Sequence, residues 1–203
     1  AQRSVYNWVD DIEDAKRRAL ALAERAASGS ADDPLILAVL GAVHTFARHY
    51  GTARVLLERA LVLDPNSAWA LSRLGWLEVY ADRPEAAEPH FRKALRLSPL
   101  DPMNFNNHVG LASARQVAGE DSAAADLFIR ALEERPNAHW IHRNLAPALR
   151  AAGRHEEAEA SCRELLAHFP KLTTRQFREA MVFSPRVLDR ICAQLRALGV
   201  PET

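Results

Sequence analysis

Apolar side chains recur along this chain at helical intervals. Within residues 34–172 the recurring apolar positions return three and four residues apart, which places them on one face of an α-helix. Turn-forming residues interrupt the pattern at a regular distance. Pro65 and Pro99 are 34 residues apart, and so are Pro136 and Pro170, Gly41 and Gly75, and Gly119 and Gly153. Self-similarity at such a period marks a stacked-repeat architecture. Aligned on the prolines, four units emerge at 34–67, 68–101, 105–138 and 139–172. The pattern predicts an all-α fold built of antiparallel helix pairs.

Position by position, the units agree. Position 7 is Leu40, Leu74, Leu111 and Leu145; position 8 is Gly41, Gly75, Ala112 and Ala146. Position 20 is Ala53, Ala87, Ala124 and Ala158. Position 24 is Leu57, Phe91, Phe128 and Cys162, and position 27 is Ala60, Ala94, Ala131 and Leu165. Small residues at 8 and 20 let two helices approach closely, while 24 and 27 fill the space toward the next unit. Arg48 and Asp82 stand in units one and two where units three and four have a turn glycine. Three extra residues separate units two and three within Ser98–Pro102, an insertion expected to alter the stacking at mid-array.

Local signals fit helix pairs. Asp33-Pro34 and Asp101-Pro102 each read as a capping Asp before a helix-starting Pro, and Asn137 as a cap for a helix near Ala138. Thr173 and Gln176 form a capping-box pattern, and Ser184-Pro185 a second helix start. Pro89 and Pro147 fall inside helices, where each removes a backbone donor. Residues 10–28 read as an amphipathic helix ended by Ser28-Gly29-Ser30, with Ala19 and Ala26 at positions like 20 and 27. The expected organisation is a preceding helix or half-repeat at 1–33, four repeats at 34–172, and capping helices at 173–203 that shield the last repeat.

These positions closely resemble the tetratricopeptide repeat, which implies an α-solenoid. Position 11 departs from that pattern: His44, Glu78, Arg115 and Leu149 stand where Tyr is usual. A narrower resemblance rests on Arg96–Pro102, Asn104-Phe105-Asn106, Gly110-Leu111-Ala112 and the ending Leu195–Glu202. These look like the C-terminal tetratricopeptide region of bacterial multidomain regulators, in which a class III adenylate/guanylate cyclase or a winged-helix domain precedes the repeats. That resemblance implies a regulatory, cytoplasmic signalling module. None of the catalytic or DNA-binding motifs of such a parent is present here.

In the tetratricopeptide architecture, positions 2, 5, 9, 12 and 13 of each first helix line a concave groove. The expected partner-binding residues are Phe46, Trp69, Ser72, Trp76, Tyr80, Asn106, Gln116, Trp140, Arg143 and Arg150. Three of the chain's four tryptophans fall on the groove positions, and Trp and Arg are preferred interface anchors. Arg143 and Arg150 would give one end a positive lip, suited to a peptide with an acidic end. The alternative is that the tryptophans fill space inside the stack. Position 5 and 9 residues Ala38 and Ala42 exclude the carboxylate clamp by which some members hold chaperone tails.

Composition narrows the classes further. The 37 Ala and 26 Leu favour helix over sheet. Lys plus Arg and Asp plus Glu both number 26, and this neutrality argues against a sequence-independent nucleic-acid binder. The balance is uneven: residues 135–203 hold 11 Lys/Arg against 7 Asp/Glu. The longest apolar run, Leu35–Val43, is too short to span a bilayer. Neither methionine, Met103 or Met181, is an initiator, which suggests an excerpt of a longer protein. Cys162 and Cys192 match no metal or redox spacing and read as cytoplasmic thiols.

No two of the eight glycines lie close enough for a phosphate loop, and no nucleophile elbow is present. His139 and His142, three apart, read as surface histidines rather than metal ligands. No catalytic residue, metal or cofactor is expected. The expected function is non-catalytic protein–protein interaction, with a peptide, a partner domain or the upstream domain as partner. Homo-oligomerisation, including a homodimer, is the alternative.

Overall fold

A computed structural model describes residues 11–27 and 32–203. The expected helix stop at Ser28–Ser30 and the side chain of Ala26 lie outside the described part. The described residues form α1 (Ile12–Ala27), α2 (Pro34–Phe46), α3 (Tyr50–Leu63), α4 (Ala68–Tyr80) and α5 (Pro84–Leu97). After these come α6 (Asn104–Ala118), α7 (Asp121–Glu134), a 3-10 turn (His139–Ile141), α8 (His142–Ala151), α9 (His155–His168), α10 (Thr174–Ala180) and α11 (Pro185–Ala197). The tightest helix pairs are α2 with α3, α4 with α5, α6 with α7 and α8 with α9, one pair for each repeat.

The chain divides into two compact units, Ala1–Asp101 and Pro102–Thr203. The division falls within the inserted Ser98–Pro102 segment. In the first unit α1 packs on α2, and α4 packs on both α2 and α3. In the second, α8 packs on α7 and on the C-terminal helix α11.

Small residues set the spacing inside each pair. A Cβ on Gly41 would lie 2.7 Å from Leu57 Cγ, and one on Gly75 would lie 2.8 Å from two ring carbons of Phe91. Ala112 and Ala146 fill the same position in the second unit and are fully buried, as are Ala53, Ala87, Ala124 and Ala158. Phe91 and Phe128 at position 24 are fully buried too.

All four turns inside the pairs close the same way. The amide at position 15 donates to the position 12 carbonyl, and the amide at position 16 donates to the position 11 carbonyl. The pairs are Arg48–Thr45 with His49–His44, and Asp82–Val79 with Arg83–Glu78. They continue as Gly119–Gln116 with Glu120–Arg115, and Gly153–Arg150 with Arg154–Leu149. This is the Schellman arrangement, and it requires a left-handed residue at position 15. Gly119 and Gly153 supply it at φ 86° and 79°; Arg48 and Asp82 adopt it at 64° and 61°.

The cap expectations divide. The Asp33 carboxylate accepts from the amides of Leu35 and Ile36 and caps α2. The Thr173–Gln176 capping box forms in both directions, and Ser184 caps α11. Asp101-Pro102 does not open a helix, because α6 starts two residues later, with Met103 at its cap position. Nor does Asn137 act as expected: the chain enters unit four through the 3-10 turn, with Ala138 before it and no side-chain cap bond.

Candidate functional site

Each unit carries part of the expected groove on its first helices. In the first unit, Trp69 at the start of α4 is 40% exposed, and the Arg73 guanidinium lies 5.4 Å from its ring centroid. One turn on, the picture changes. Trp76 is buried, stacked on Tyr80 at 5.4 Å and edge-on to Phe91 at 5.7 Å. Tyr80 and Ser72 are buried as well, and half-buried Phe46 lies 6.3 Å from the Tyr80 ring. Trp76 and Tyr80 therefore belong to the core, where ring-to-ring packing holds the α4–α5 pair. Of the two tryptophans on α4, Trp69 is the exposed one; Leu35 and Val39 of α2 are also exposed.

The second unit repeats the arrangement. Trp140, half-buried in the 3-10 turn, has the Arg143 guanidinium 5.4 Å from its ring centroid. The Phe105 ring lies 6.5 Å away, and the Arg135 guanidinium lies 5.6 Å from the Phe105 ring centroid. Arg143 itself is buried, so it is no exposed lip. Gln116 and Asn144 bond reciprocally: Gln116 Nε2 donates to the Asn144 carbonyl at 3.0 Å, and Asn144 Nδ2 donates to Gln116 Oε1 at 3.1 Å. Asn106 is also buried.

Helix α11 engages the same surface. Arg190 donates to the Gln116 carbonyl, and Arg150 donates to Gln194 Oε1 at 2.7 Å. Gln116 and Arg150 are thus held by the chain's own C-terminal helix. Position periodicity alone could not show this, because α11 lies outside the repeat pattern.

Position 11 explains one departure from the repeat. Glu78 is 1% exposed; its carboxylate accepts a hydrogen bond from Arg54 of α3 and forms an ion pair, at 2.8 Å, with Arg83 in the following turn. The Arg54 bond links the two repeats of the first unit where the usual residue would be Tyr.

The charge asymmetry does not follow the structural division. The first unit holds 13 basic and 14 acidic residues, the second 13 and 12. The basic excess lies within the second unit, and much of it is paired. Arg154 binds Asp126 at 2.6 Å and Glu157 at 2.7 Å, and Arg178 binds Asp189 at 2.7 Å.

The second unit also has a cleft of about 670 Å³ between α7 and α9. Ile129, Leu132, Leu145, Leu149, His142 and Glu164 are among its lining residues. At its rim the fold joins residues that the sequence kept apart: ligand-capable atoms of His139, Glu164 and His168 lie within 4.8 Å of one another. The signal missed in the sequence was Glu164 and His168, four apart on one helix face. Cys162 and Cys192 are buried free thiols, and burial pushes both pKa values up.

No family model and no curated protein sequence matches the chain. Solved structures do. PilW, described as a widely conserved type IV pilus biogenesis factor, matches with a TM-score of 0.70 at 21% identity, over 90% of this chain and 85% of its own. A tetratricopeptide repeat protein from Parabacteroides merdae matches with a TM-score of 0.64 at 16% identity, over 91% and 79%. The fold is a tetratricopeptide-type α-solenoid. The AMB-1 form of MamA matches it at 27% identity with a TM-score of 0.58, over 77% of this chain and 91% of its own. Among the described residues, no helix is long and apolar enough to cross a membrane.

Proposed function

We propose that this chain is a non-catalytic protein-interaction module that holds a peptide or partner segment on its outward-facing tryptophans. The observation that carries this reading is the repeated Trp–Arg arrangement. Trp69 with Arg73 and Trp140 with Arg143 stand at the starts of first helices, one pair in each unit, at the same ring-to-guanidinium distance of 5.4 Å. A partly exposed indole offers a large apolar contact at little conformational cost, and such residues dominate binding energies. In the first unit Ser72, Trp76 and Tyr80 are buried further along the helix that starts with Trp69; in the second unit Asn106 and Gln116 are buried on α6.

The test is selection of binding peptides from a random display library on the immobilised chain, followed by titration. Trp69→Ala or Trp140→Ala should weaken the selected peptide by about tenfold or more, the loss typical of an interface hot spot. Unchanged affinity in both variants would overturn the assignment.

Attachment to an upstream cyclase or winged-helix domain rests on the sequence resemblance alone; none of the structures reported above is such a regulator. The two buried free thiols support a reducing compartment, as the cytoplasm would provide. Self-association is the second reading. It draws on Leu35, Val39, Val55, Val62 and Leu100, large exposed apolar side chains of the first unit. Sedimentation over a range of concentrations separates the two, since a strict monomer rejects self-association.

A further inference from the structure

We propose that His139, Glu164 and His168 form a binding site for a divalent transition-metal ion, with Zn²⁺ as the fitting ion. Their donor atoms lie within 4.8 Å of one another, so side-chain rotations that splay the stacked His139 and His168 rings bring all three onto one ion. Two imidazoles and one carboxylate form a borderline nitrogen–oxygen ligand set that suits Zn²⁺ and leaves a fourth position open.

Further features bear on the cluster. Glu164 and His168 are four residues apart near the end of α9, so they project from one face of it. That end of the helix carries the negative pole of its dipole, which favours a positive ion. His168 Nδ1 lies 3.0 Å from the Glu164 carbonyl and donates to it, which leaves Nε2 as the metal-facing nitrogen. The His139 ring lies face to face with that of His168, centroids 3.4 Å apart and planes 10° from parallel.

His142 sits beside the cluster, with Nδ1 2.9 Å from Ser161 Oγ. A bound ion would tie the 3-10 turn that leads into α8 to the end of α9. It would also present its open position at the rim of the α7–α9 cleft, of which Glu164 is a lining residue.

The test is calorimetric titration of the whole chain with ZnCl₂ after chelator treatment, with CoCl₂ as a spectroscopic probe. Expected are one ion per chain, a Co²⁺ absorption band of four-coordinate type, and a Zn²⁺-dependent rise in Tm. His168→Gln and Glu164→Gln should each weaken binding by about tenfold or more, and His139→Gln should do likewise. The side chains of Glu164 and His168 are largely exposed, so these variants keep the fold, which circular dichroism verifies. His155→Gln should leave binding unchanged. Absence of saturable binding overturns the proposal, as does unaltered affinity in the three cluster variants. Loss of binding in His49→Gln instead would also overturn it, by moving the ion to the His44–His49 pair.

Discussion

A left-handed residue is required at position 15 of every repeat, and two of the four units meet that demand without glycine. Arg48 and Asp82 bear a steric cost of about 1–2 kcal/mol that a glycine would not. Glycine returns part of that gain through the larger entropy of its unfolded chain. Arg48→Gly should therefore raise stability by up to about 1 kcal/mol in urea unfolding, and Gly119→Ala should lower it. The opposite constraint holds at Gly75, where an added Cβ would sit 2.8 Å from the Phe91 ring. Gly75→Val should cost about 1–3 kcal/mol through overpacking, measurable as a lowered Tm. Position 8 was legible in the sequence because close helix contact admits few residue types. Position 15 was legible only in part, since Arg and Asp conceal a conformation that glycine would advertise.

Within and between helices, short-range chemistry read more reliably than long-range contact. The capping box at Thr173 and Gln176 is local, so its sequence pattern sufficed; Asp101-Pro102 had an equally good pattern, yet α6 begins at Asn104. Groove exposure was not legible. Trp76 obeys the same spacing as Trp69, but Tyr80 and Phe91 enclose it, and only three-dimensional packing decides between exposed and covered aromatics. The Arg54–Glu78–Arg83 pairing likewise joins residues from three neighbouring elements. Removing Arg54 takes away the hydrogen-bond donor of a buried carboxylate and leaves it only the Arg83 ion pair, so Glu78→Leu should be tolerated far better than Arg54→Leu. The second variant should lose about 3 kcal/mol; chemical denaturation of both variants measures the difference.

For the whole molecule, buried and half-buried histidines contribute to the response to acid. Burial lowers the pKa values of His44, His90 and His142 below the ordinary 6.5. As pH falls through about 6.5 the unfolded chain takes up protons that the folded chain refuses, so stability declines from that point downward. Urea midpoints at pH 7.5, 6.0 and 5.0 should fall in that order, and His142→Gln should flatten the decline. The all-α class and the phase of the repeats were legible throughout, because periodicity and composition carry them. The division at Asp101 and Pro102 was foreshadowed by the insertion there. The engagement of α11 with Gln116 and Arg150 was not, since a capping helix has no repeat register from which to predict its contacts.

The common turn has a consequence for how such a chain grows. Its two closing bonds run from backbone to backbone and recur whether the residue is Arg, Asp or Gly. A duplication of 34 residues would therefore bring its own complete turn and disturb none already present. Extra residues between pairs are also absorbed, since the turns at Asp82 and Gly119 are both complete despite the insertion at Ser98–Pro102. Extra residues inside a turn would instead strand the carbonyls that these bonds satisfy, so the joints between pairs are where length can change.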